Sequence, residues 1–144
     1  MSETVDYVEA AQPQATPVSV AYAGFWRRVL AAIIDGIILS AIFWIIGGGD
    51  FSGASWIVTT AIAWLYYALL ESSAKQATLG KMAVGVIVTN EDGKRISILR
   101  ATGRHFAKWI SAIILCIGFI MVAFTEKKQG LHDMLADTLV IKVK

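Results

Sequence analysis

The chain has 144 residues, enough for one domain, and 56% of them are hydrophobic while 17% are charged. Soluble domains have about 45–50% apolar and about 25% charged residues, so this composition argues against a soluble protein and favours a membrane protein. The net charge of +2 says little about partners, and the single cysteine, Cys116, excludes a disulfide framework and a cysteine-based metal site.

We predict a disordered cytoplasmic tail over residues 1–23. This segment holds three acidic residues and both prolines of the chain, lacks Lys and Arg, and shows neither a helical nor a strand period. A secretory signal would begin with basic residues followed by about 7–15 apolar ones. Here the basic pair comes at 27–28 and the apolar run after it is longer, so we expect an uncleaved membrane segment.

Two apolar runs predict membrane-spanning helices at 25–46 and 54–71. A helix needs about 20 residues, with a range near 17–25, to cross a bilayer. The link between the runs, GGGDFSG, is rich in glycine and has no basic residue. We therefore expect the two helices to form a tight antiparallel hairpin.

Lys and Arg are unevenly distributed around these runs. Arg27 and Arg28 precede the first run, and seven basic residues separate the second run from the third: Lys75, Lys81, Lys94, Arg95, Arg100, Arg104 and Lys108. Short loops rich in Lys and Arg stay in the cytoplasm. We expect a multi-pass protein whose N-terminus and 72–104 connector are cytoplasmic, with GGGDFSG on the other side.

The third apolar segment, 105–125, leaves two topologies open. Its uncharged stretch, 109–124, has 16 residues, and a helix of that length rises only about 24 Å, less than a hydrocarbon core of about 30 Å. A single crossing would put the C-terminal tail, 126–144, outside with its four lysines. A re-entrant segment bent at Gly118 would return the tail to the cytoplasm, if other helices cover its backbone.

β-branched residues predict a small cytoplasmic sheet. The stretch AVGVIVTNEDGKRISIL, 83–99, reads as strand, turn and strand, and the alternating tail DTLVIKVK could add a third strand. The predicted fold class is therefore an all-α membrane protein. It would have two transmembrane helices, a third transmembrane or re-entrant segment, and a small cytoplasmic β-hairpin or sheet.

Asp35 lies inside the first predicted helix. A carboxylate near the bilayer centre costs at least about 2.5–3.5 kcal/mol. Arg28 is about 10 Å away along the helix, close to two turns, and faces the same side. Arg104, just before the third run, is a second candidate partner. Two interpretations stay open: an ion or proton site whose charge changes with occupancy, and a structural ion pair that sets helix packing.

Glu71 ends the second predicted helix and completes a polar cluster at the cytoplasmic half of the chain. Its spacing to Lys75 suits a weak surface pair. This cluster, with Arg27, Arg28 and Asp35, is the most concentrated chemistry in the sequence.

No other motif indicates an enzyme, a cofactor or a metal. The segment ATLGKM, 77–82, lacks the first glycine and the final Ser or Thr of a phosphate-binding loop, so it predicts a turn. His132 and Asp133 are adjacent, point apart in a helix and have no third ligand at useful spacing. The basic connector has no base-stacking platform or reading helix, so it suits anionic lipid headgroups better than nucleic acid.

Four stretches resemble the RDD family of bacterial inner-membrane proteins: GFWRRVLAAIIDGIIL, ESSAKQATLGKMAVGVIV, ATGRHFAKWIS and IGFIMVAFTEKKQGLHDMLADTLVI. The resemblance covers residues 24–142. Arg28, Asp35 and Asp133 match the arginine and two aspartates for which the family is named. Thr78, Gly80 and Lys81 match its T-x-G-K element. The chain differs from the family at 136–138 and in its short third run.

The resemblance implies an inner-membrane protein with a transport role, because some members of the family are described as Na⁺/H⁺ antiporters. In that hypothesis Asp35 carries an ion or proton, Na⁺ or H⁺, and Arg28 tunes its charge. Asp133 and Arg104 close the inner side, and Glu71 completes the ion or proton site. Since two or three helices cannot easily surround a pathway, a transporter would be a homo-oligomer in the lipid bilayer.

The alternative hypothesis is a membrane scaffold or accessory subunit that transports nothing. The same Arg and Asp residues would then only stabilise helix packing. Neither hypothesis requires a cofactor.

Overall fold

The computed structural model describes residues 20–48, 53–114 and 117–143. In chain order the elements in these ranges are α1 (Phe25–Gly47), α2 (Ala54–Ser72), α3 (Leu79–Ala83), β1 (Val86–Asn90), α4 (Ile98–Ile113), α5 (Ile117–Ile120), a 3₁₀ turn (Met121–Ala123), α6 (Leu131–Leu135) and β2 (Thr138–Lys142). The predicted fold class is confirmed: the protein is mostly helical, has two or three apolar helices capable of crossing a membrane, and has a small antiparallel sheet.

Helices α1 and α2 are long and apolar enough to cross a membrane, with 23 and 19 residues. At about 1.5 Å per residue α1 is about 35 Å long. Gly48 caps its C-terminus, where the left-handed conformation (φ 60°) closes a helix without the strain that a side chain would add. α1 packs mainly against α3, and α2 against α4. α1 and α2 also contact each other, although less extensively than α1 contacts α3 or α2 contacts α4.

The small sheet joins three distant parts of the chain. β1 pairs antiparallel with β2, with Val88 opposite Val140, and both of these side chains are buried. On the other side of β2, the Ala23 N–H donates to the Val140 carbonyl at 2.8 Å, and Tyr22 forms a bridge with Ile141. The sheet therefore holds the residues just before α1 beside β2. Its two strands, β1 and β2, precede and follow the α4–α6 region.

Two predictions near this sheet need correction. The predicted strand after the 90–93 turn does not form: residues 94–97 are irregular, and Ile98 already begins α4. The turn itself is present, and the tail supplies the partner of β1. Most of the predicted disordered tail lies outside the described residues, but at its end Tyr22 and Ala23 are ordered against β2, with Ala23 fully buried.

The segment from α4 to the 3₁₀ turn is bent rather than straight. Helix α4 begins at Ile98, inside the predicted connector, where the Ser97 hydroxyl accepts the Arg100 N–H at 3.2 Å. The directions of α4 and of 117–123 differ by 115°. Because β1 precedes this segment and β2 follows it in the same sheet, the chain enters and leaves the segment on one face of the protein. A bend of this size is found both in re-entrant segments and in broken membrane spans, the two topologies that the sequence left open.

Helix α4 is amphipathic in the sense opposite to a soluble helix. Its buried side carries Arg104 and Ser111, whereas Leu99, Phe106 and Ile113 are exposed. Exposed apolar and buried polar side chains suit a helix surrounded by lipid. This arrangement brings the charged groups of α4 into the interior of the protein.

Candidate functional site

Asp35 lies in the middle of α1 and is 1% exposed. Its Oδ1 accepts from the Tyr66 hydroxyl at 2.7 Å and from the Gly80 N–H at 2.8 Å, and its Oδ2 accepts from the Thr78 hydroxyl at 2.6 Å. All three donors are neutral, and none of the described Lys, Arg or His side chains forms a salt bridge with Asp35. The carboxylate therefore receives hydrogen bonds without a direct counter-charge.

The turn at the start of α3 approaches α1 closely because position 80 is a glycine. A Cβ on Gly80 would collide with the Ala31 carbonyl oxygen and would lie 2.8 Å from Asp35 Oδ1. Thr78 caps α3, since its Oγ1 accepts the Lys81 N–H at 3.3 Å while it donates to Asp35. The T-x-G-K element is thus the sequence that lets α3 bind the carboxylate of α1.

A second cluster links four helices through buried ion pairs. Glu71, on α2, accepts from Lys81 of α3 and from Arg104 of α4, the latter at 2.7 Å. Arg104 also binds Asp133 of α6, with Nε 2.9 Å from Oδ1. Lys108, one turn further along α4, lies 4.0 Å from Glu71. Arg104 is therefore the central cation of this charge network, between two carboxylates.

Arg28 joins the network from α1. Its guanidinium forms an ion pair with Asp133, and it donates to the carbonyl oxygens of Lys128 at 2.5 Å and Ala23 at 3.2 Å. Asp133 also accepts the Gly130 N–H at 3.1 Å, which fixes the start of α6. Arg28 thus fastens the beginning of α1 to the loop and helix that follow the bent segment.

Two groups of α6 have shifted pKa values. Burial opposes ionisation of Asp133, but the Arg104 and Arg28 guanidiniums outweigh it and hold the pKa of Asp133 below its ordinary value. Burial lowers the pKa of His132 to about 3. At neutral pH Asp133 is therefore ionised and His132 is neutral.

The two clusters border one cavity of about 470 Å³, which lies mainly between α1 and the α4–α5 region. Its polar lining consists of Arg28, Asp35, Tyr67, Lys81, Arg104, His105, Lys108 and His132. The rest of the wall is largely apolar, with Phe25, Val29, Trp109 and Phe119. A volume near 500 Å³ with a few polar groups in an apolar wall is typical of a ligand site.

The predicted site residues fall into two groups. Arg28, Glu71, Arg104 and Asp133 meet in the charge network, whereas Asp35 lies apart from it and binds neutral donors. The expected ion pair between Asp35 and Arg28 or Arg104 is wrong, because both arginines are held by Asp133. The expected surface pair of Glu71 with Lys75 is also wrong, because Glu71 is 1% exposed and turns inward to Lys81 and Arg104.

The sequence interpretation missed several members of the site. Lys108 follows Arg104 by four residues, a spacing that places both on one helix face, and that signal was available. Tyr66 and Tyr67 lie in an apolar run that gave no reason to single them out. In the described residues no group of three or more His, Cys, Asp or Glu side chains could hold a metal ion.

These features define a class: a small polytopic membrane protein with apolar outer helices, a buried charge network and an isolated intramembrane carboxylate. The chain matches the model of the RDD family over residues 22–137, and it belongs to that family. The arginine and the two aspartates of the earlier resemblance are Arg28, Asp35 and Asp133, and the structure buries both aspartates completely.

Three relatives come from Bacillus subtilis strain 168. "Uncharacterized protein YxaI" is 41% identical, with 83% of this chain and 96% of the relative aligned. "Uncharacterized membrane protein YteJ" is 34% identical, with 86% and 83% aligned, and "Uncharacterized protein YckC" is 32% identical, with 82% and 83% aligned. No solved structure matches the chain. Neither the family nor these names indicate an enzyme.

Proposed function

We propose that this protein is a small ion transporter of the bacterial inner membrane that moves protons, or exchanges a cation for protons, with Asp35 as the carrier group. One observation carries the proposal. Asp35 is buried at the depth of a membrane helix, lines a cavity, and has no direct counter-charge among the described side chains. Ionisable groups in such positions commonly mark ion and proton pathways.

The surroundings of Asp35 favour a proton over a metal cation as its occupant. A bound cation needs several oxygen ligands, but the hydroxyls of Tyr66 and Thr78 and the Gly80 N–H all donate toward the carboxylate. Lys81 and Lys108 in the same cavity repel a second positive charge. A proton would displace only one of the three donors. Na⁺ is then the cation to test as the ion exchanged for protons, and not as an ion bound by Asp35.

The charge network has a separate role in this proposal. Arg28, Arg104, Glu71 and Asp133 close the inner side of the cavity and stay ion-paired while Asp35 changes its protonation. The distribution of Lys and Arg supports a cytoplasmic N-terminus. Two or three membrane helices cannot easily surround an ion pathway across the whole membrane, so the proposal includes a homo-oligomer.

A specific observation also favours the scaffold alternative. The three hydrogen bonds to Asp35 connect α1 to α2 and to the start of α3, and such contacts would hold the fold together without any transport. In that case loss of the carboxylate would loosen α3 rather than stop an ion flux.

Ion flux in proteoliposomes tests the proposal. Wild type, Asp35→Asn and Asp92→Asn are reconstituted, and proton movement is followed under pH and Na⁺ gradients. Asp92 is an exposed carboxylate, so its variant makes the same chemical change away from the cavity. We expect proton flux above background from wild type and Asp92→Asn, and only background flux from Asp35→Asn. Thermal unfolding checks that the Asp35→Asn protein is still folded.

Two results would count against transport. A folded Asp35→Asn protein with undiminished flux would show that Asp35 is not the carrier. Wild-type protein without flux under either gradient would leave the scaffold as the better hypothesis. The mass of the complex in mild detergent checks the homo-oligomer, and a strict monomer would argue against a transport pathway.

A further inference from the structure

The wall of the cavity carries more positive than negative charge. Among the described residues, its surroundings include four cations, Arg28, Lys81, Arg104 and Lys108, and three carboxylates, Asp35, Glu71 and Asp133. With all seven groups ionised, one positive charge is left over. An excess charge in a partly apolar cavity is stabilised by a counter-ion, and here that counter-ion is an anion.

Lys108 is the cation that the network neutralises least. Its Nζ lies 4.0 Å from Glu71 Oε1, at the limit of an ion pair, and stands over the ring of Tyr67 at 4.2 Å from the centroid. Its side chain is 22% exposed, compared with 2% for Arg104 and 9% for Lys81. Lys108 is thus accessible from the cavity, and its positive charge is only partly compensated by Glu71.

Two buried histidines add hydrogen-bonding capacity that the protein leaves unused. The Nδ1 atoms of His105 and His132 are buried and have no hydrogen-bond partner among the described residues, and both side chains line the cavity. Buried polar atoms are nearly always satisfied by protein, water or a ligand. The two histidines therefore add polar groups to the lining of the cavity.

The remaining wall fits an amphiphile. Phe25 and Val29 of α1 face Trp109 of α4 and Phe119 and Ile120 of α5 across the cavity. The outer faces of both walls are apolar, with Leu30 on α1 and Phe106 and Ile113 on α4 exposed. A molecule with an anionic head and an apolar body would therefore match the cavity in charge and in polarity.

We propose that the cavity is a binding site for one anionic phospholipid. Its phosphate would lie against Lys108, and its glycerol and the first part of its acyl chains would lie along Phe25, Val29, Trp109 and Phe119. The excess positive charge selects a lipid with net negative charge over a zwitterionic one. This proposal stands on the cationic wall and does not depend on transport through Asp35.

Lipid retention tests the site. The full chain is placed in nanodiscs of equal parts phosphatidylglycerol and phosphatidylcholine, then extracted in mild detergent, and the lipids that remain bound are measured by mass spectrometry. We expect Lys108→Gln to lower the ratio of retained phosphatidylglycerol to phosphatidylcholine by about tenfold, the effect of one charge-assisted hydrogen bond. Lys94 is exposed and does not line the cavity, so Lys94→Gln should leave the ratio unchanged.

Two further measurements complete the test. The first distinguishes an intact lipid from a free phosphate compound, and the second uses wild-type protein, so it does not require Lys108→Gln to fold. Inorganic phosphate and glycerol phosphate should not displace the bound lipid; displacement by either would assign the site to a free phosphate compound and overturn the lipid proposal. Thermal unfolding of wild type should shift upward with phosphatidylglycerol and not with phosphatidylcholine. Equal shifts with both lipids, or equal retention by Lys108→Gln and wild type, would also overturn it.

Discussion

Arg104 and Glu71 form an ion pair in which each side chain is 2% exposed and Nη1 lies 2.7 Å from Oε2. Taking two charges out of water is unfavourable, and here each carboxylate and guanidinium has more than one partner to offset that cost. Arg104 bridges Glu71 and Asp133, so it joins α2 to α6 through α4. Replacing a residue of this pair therefore tests how much the charge network stabilises the packing of the helices.

Replacement of Arg104 by methionine should strongly destabilise the fold. The change leaves Glu71 and Asp133 buried with one cation fewer, and we expect the free energy of unfolding to fall by about 3–5 kcal/mol. Reversible unfolding in mixed micelles measures it. Arg100→Met, one turn earlier on the exposed side of α4, should change it by less than about 0.5 kcal/mol. Equal losses from the two variants would contradict the central position of Arg104.

Replacement of Gly80 by alanine should separate α3 from α1. The new Cβ would collide with the Ala31 carbonyl oxygen and crowd Asp35, so we expect a loss of at least about 1–3 kcal/mol. Gly103→Ala is the matched control, because Gly103 lies within α4 and a Cβ there would meet nothing within 4 Å. It should be neutral or stabilise by up to about 1 kcal/mol. Thermal unfolding distinguishes the two, and a harmless Gly80→Ala would show that the close approach is not needed.

The pH dependence of stability should depend on His132. Burial lowers its pKa from 6.5 to about 3, so between these values the unfolded chain binds a proton that the folded chain does not. The stabilising contribution is complete above about pH 6.5 and is lost as the pH falls toward about 3. His132→Phe should lower the slope of unfolding free energy against pH, by up to about 1.4 kcal/mol per pH unit.

The range above about pH 4.5 is the informative one for this comparison. Asp133 has a pKa below its ordinary 3.8, and its contribution is lost only at lower pH. Phenylalanine keeps an aromatic ring beside Phe119, which His132 contacts at 5.1 Å between centroids. Equal slopes for His132→Phe and wild type would mean that His132 is protonated in the folded protein.

We expect the bent segment from α4 to the 3₁₀ turn to be re-entrant, so both of its ends should be accessible from the same side of the membrane. Cys116 is first replaced by alanine. In this background three variants each carry one cysteine: at Lys94, before α4, at Lys142, in β2, or at Ala54, at the start of α2. A membrane-impermeant thiol reagent applied to right-side-out and inverted vesicles should label positions 94 and 142 together, and position 54 from the other side. Labelling of 94 and 142 from opposite sides would contradict the re-entrant geometry.

The sequence was sufficient for the long helices and for the sites of buried charge, but not for their pairing. The apolar runs predicted α1 and α2 because a membrane helix must be apolar on every face. Arg28, Asp35 and Asp133 stood out through the family resemblance. Their partners depend on how α3, α4 and α6 pack, and pairs such as Arg28 with Asp133, which are 105 residues apart, leave no local pattern.

The sheet and α4 show two other limits of local pattern. The stretch after Gly93 reads as a strand because Ile96 and Ile98 alternate with polar residues, but the Ser97 cap and the longer helical pattern that follows it prevail. β1 then pairs with the tail strand instead. α4 was assigned too short because its cations were counted as connector charges, whereas Arg104 and Lys108 turn toward the charge network and apolar side chains such as Leu99 and Phe106 face outward.

The ion pair between Arg28 and Asp133 also bears on the order of events during synthesis. A ribosome adds about 5–20 residues per second, so Asp133 is made on the order of ten seconds after Arg28, and β2 later still. Until then the guanidinium of α1 lacks its carboxylate partner, and the Glu71 carboxylate of α2 lacks Arg104 until α4 has been made. The first two helices are therefore made while their buried charges still lack the partners that the finished fold supplies.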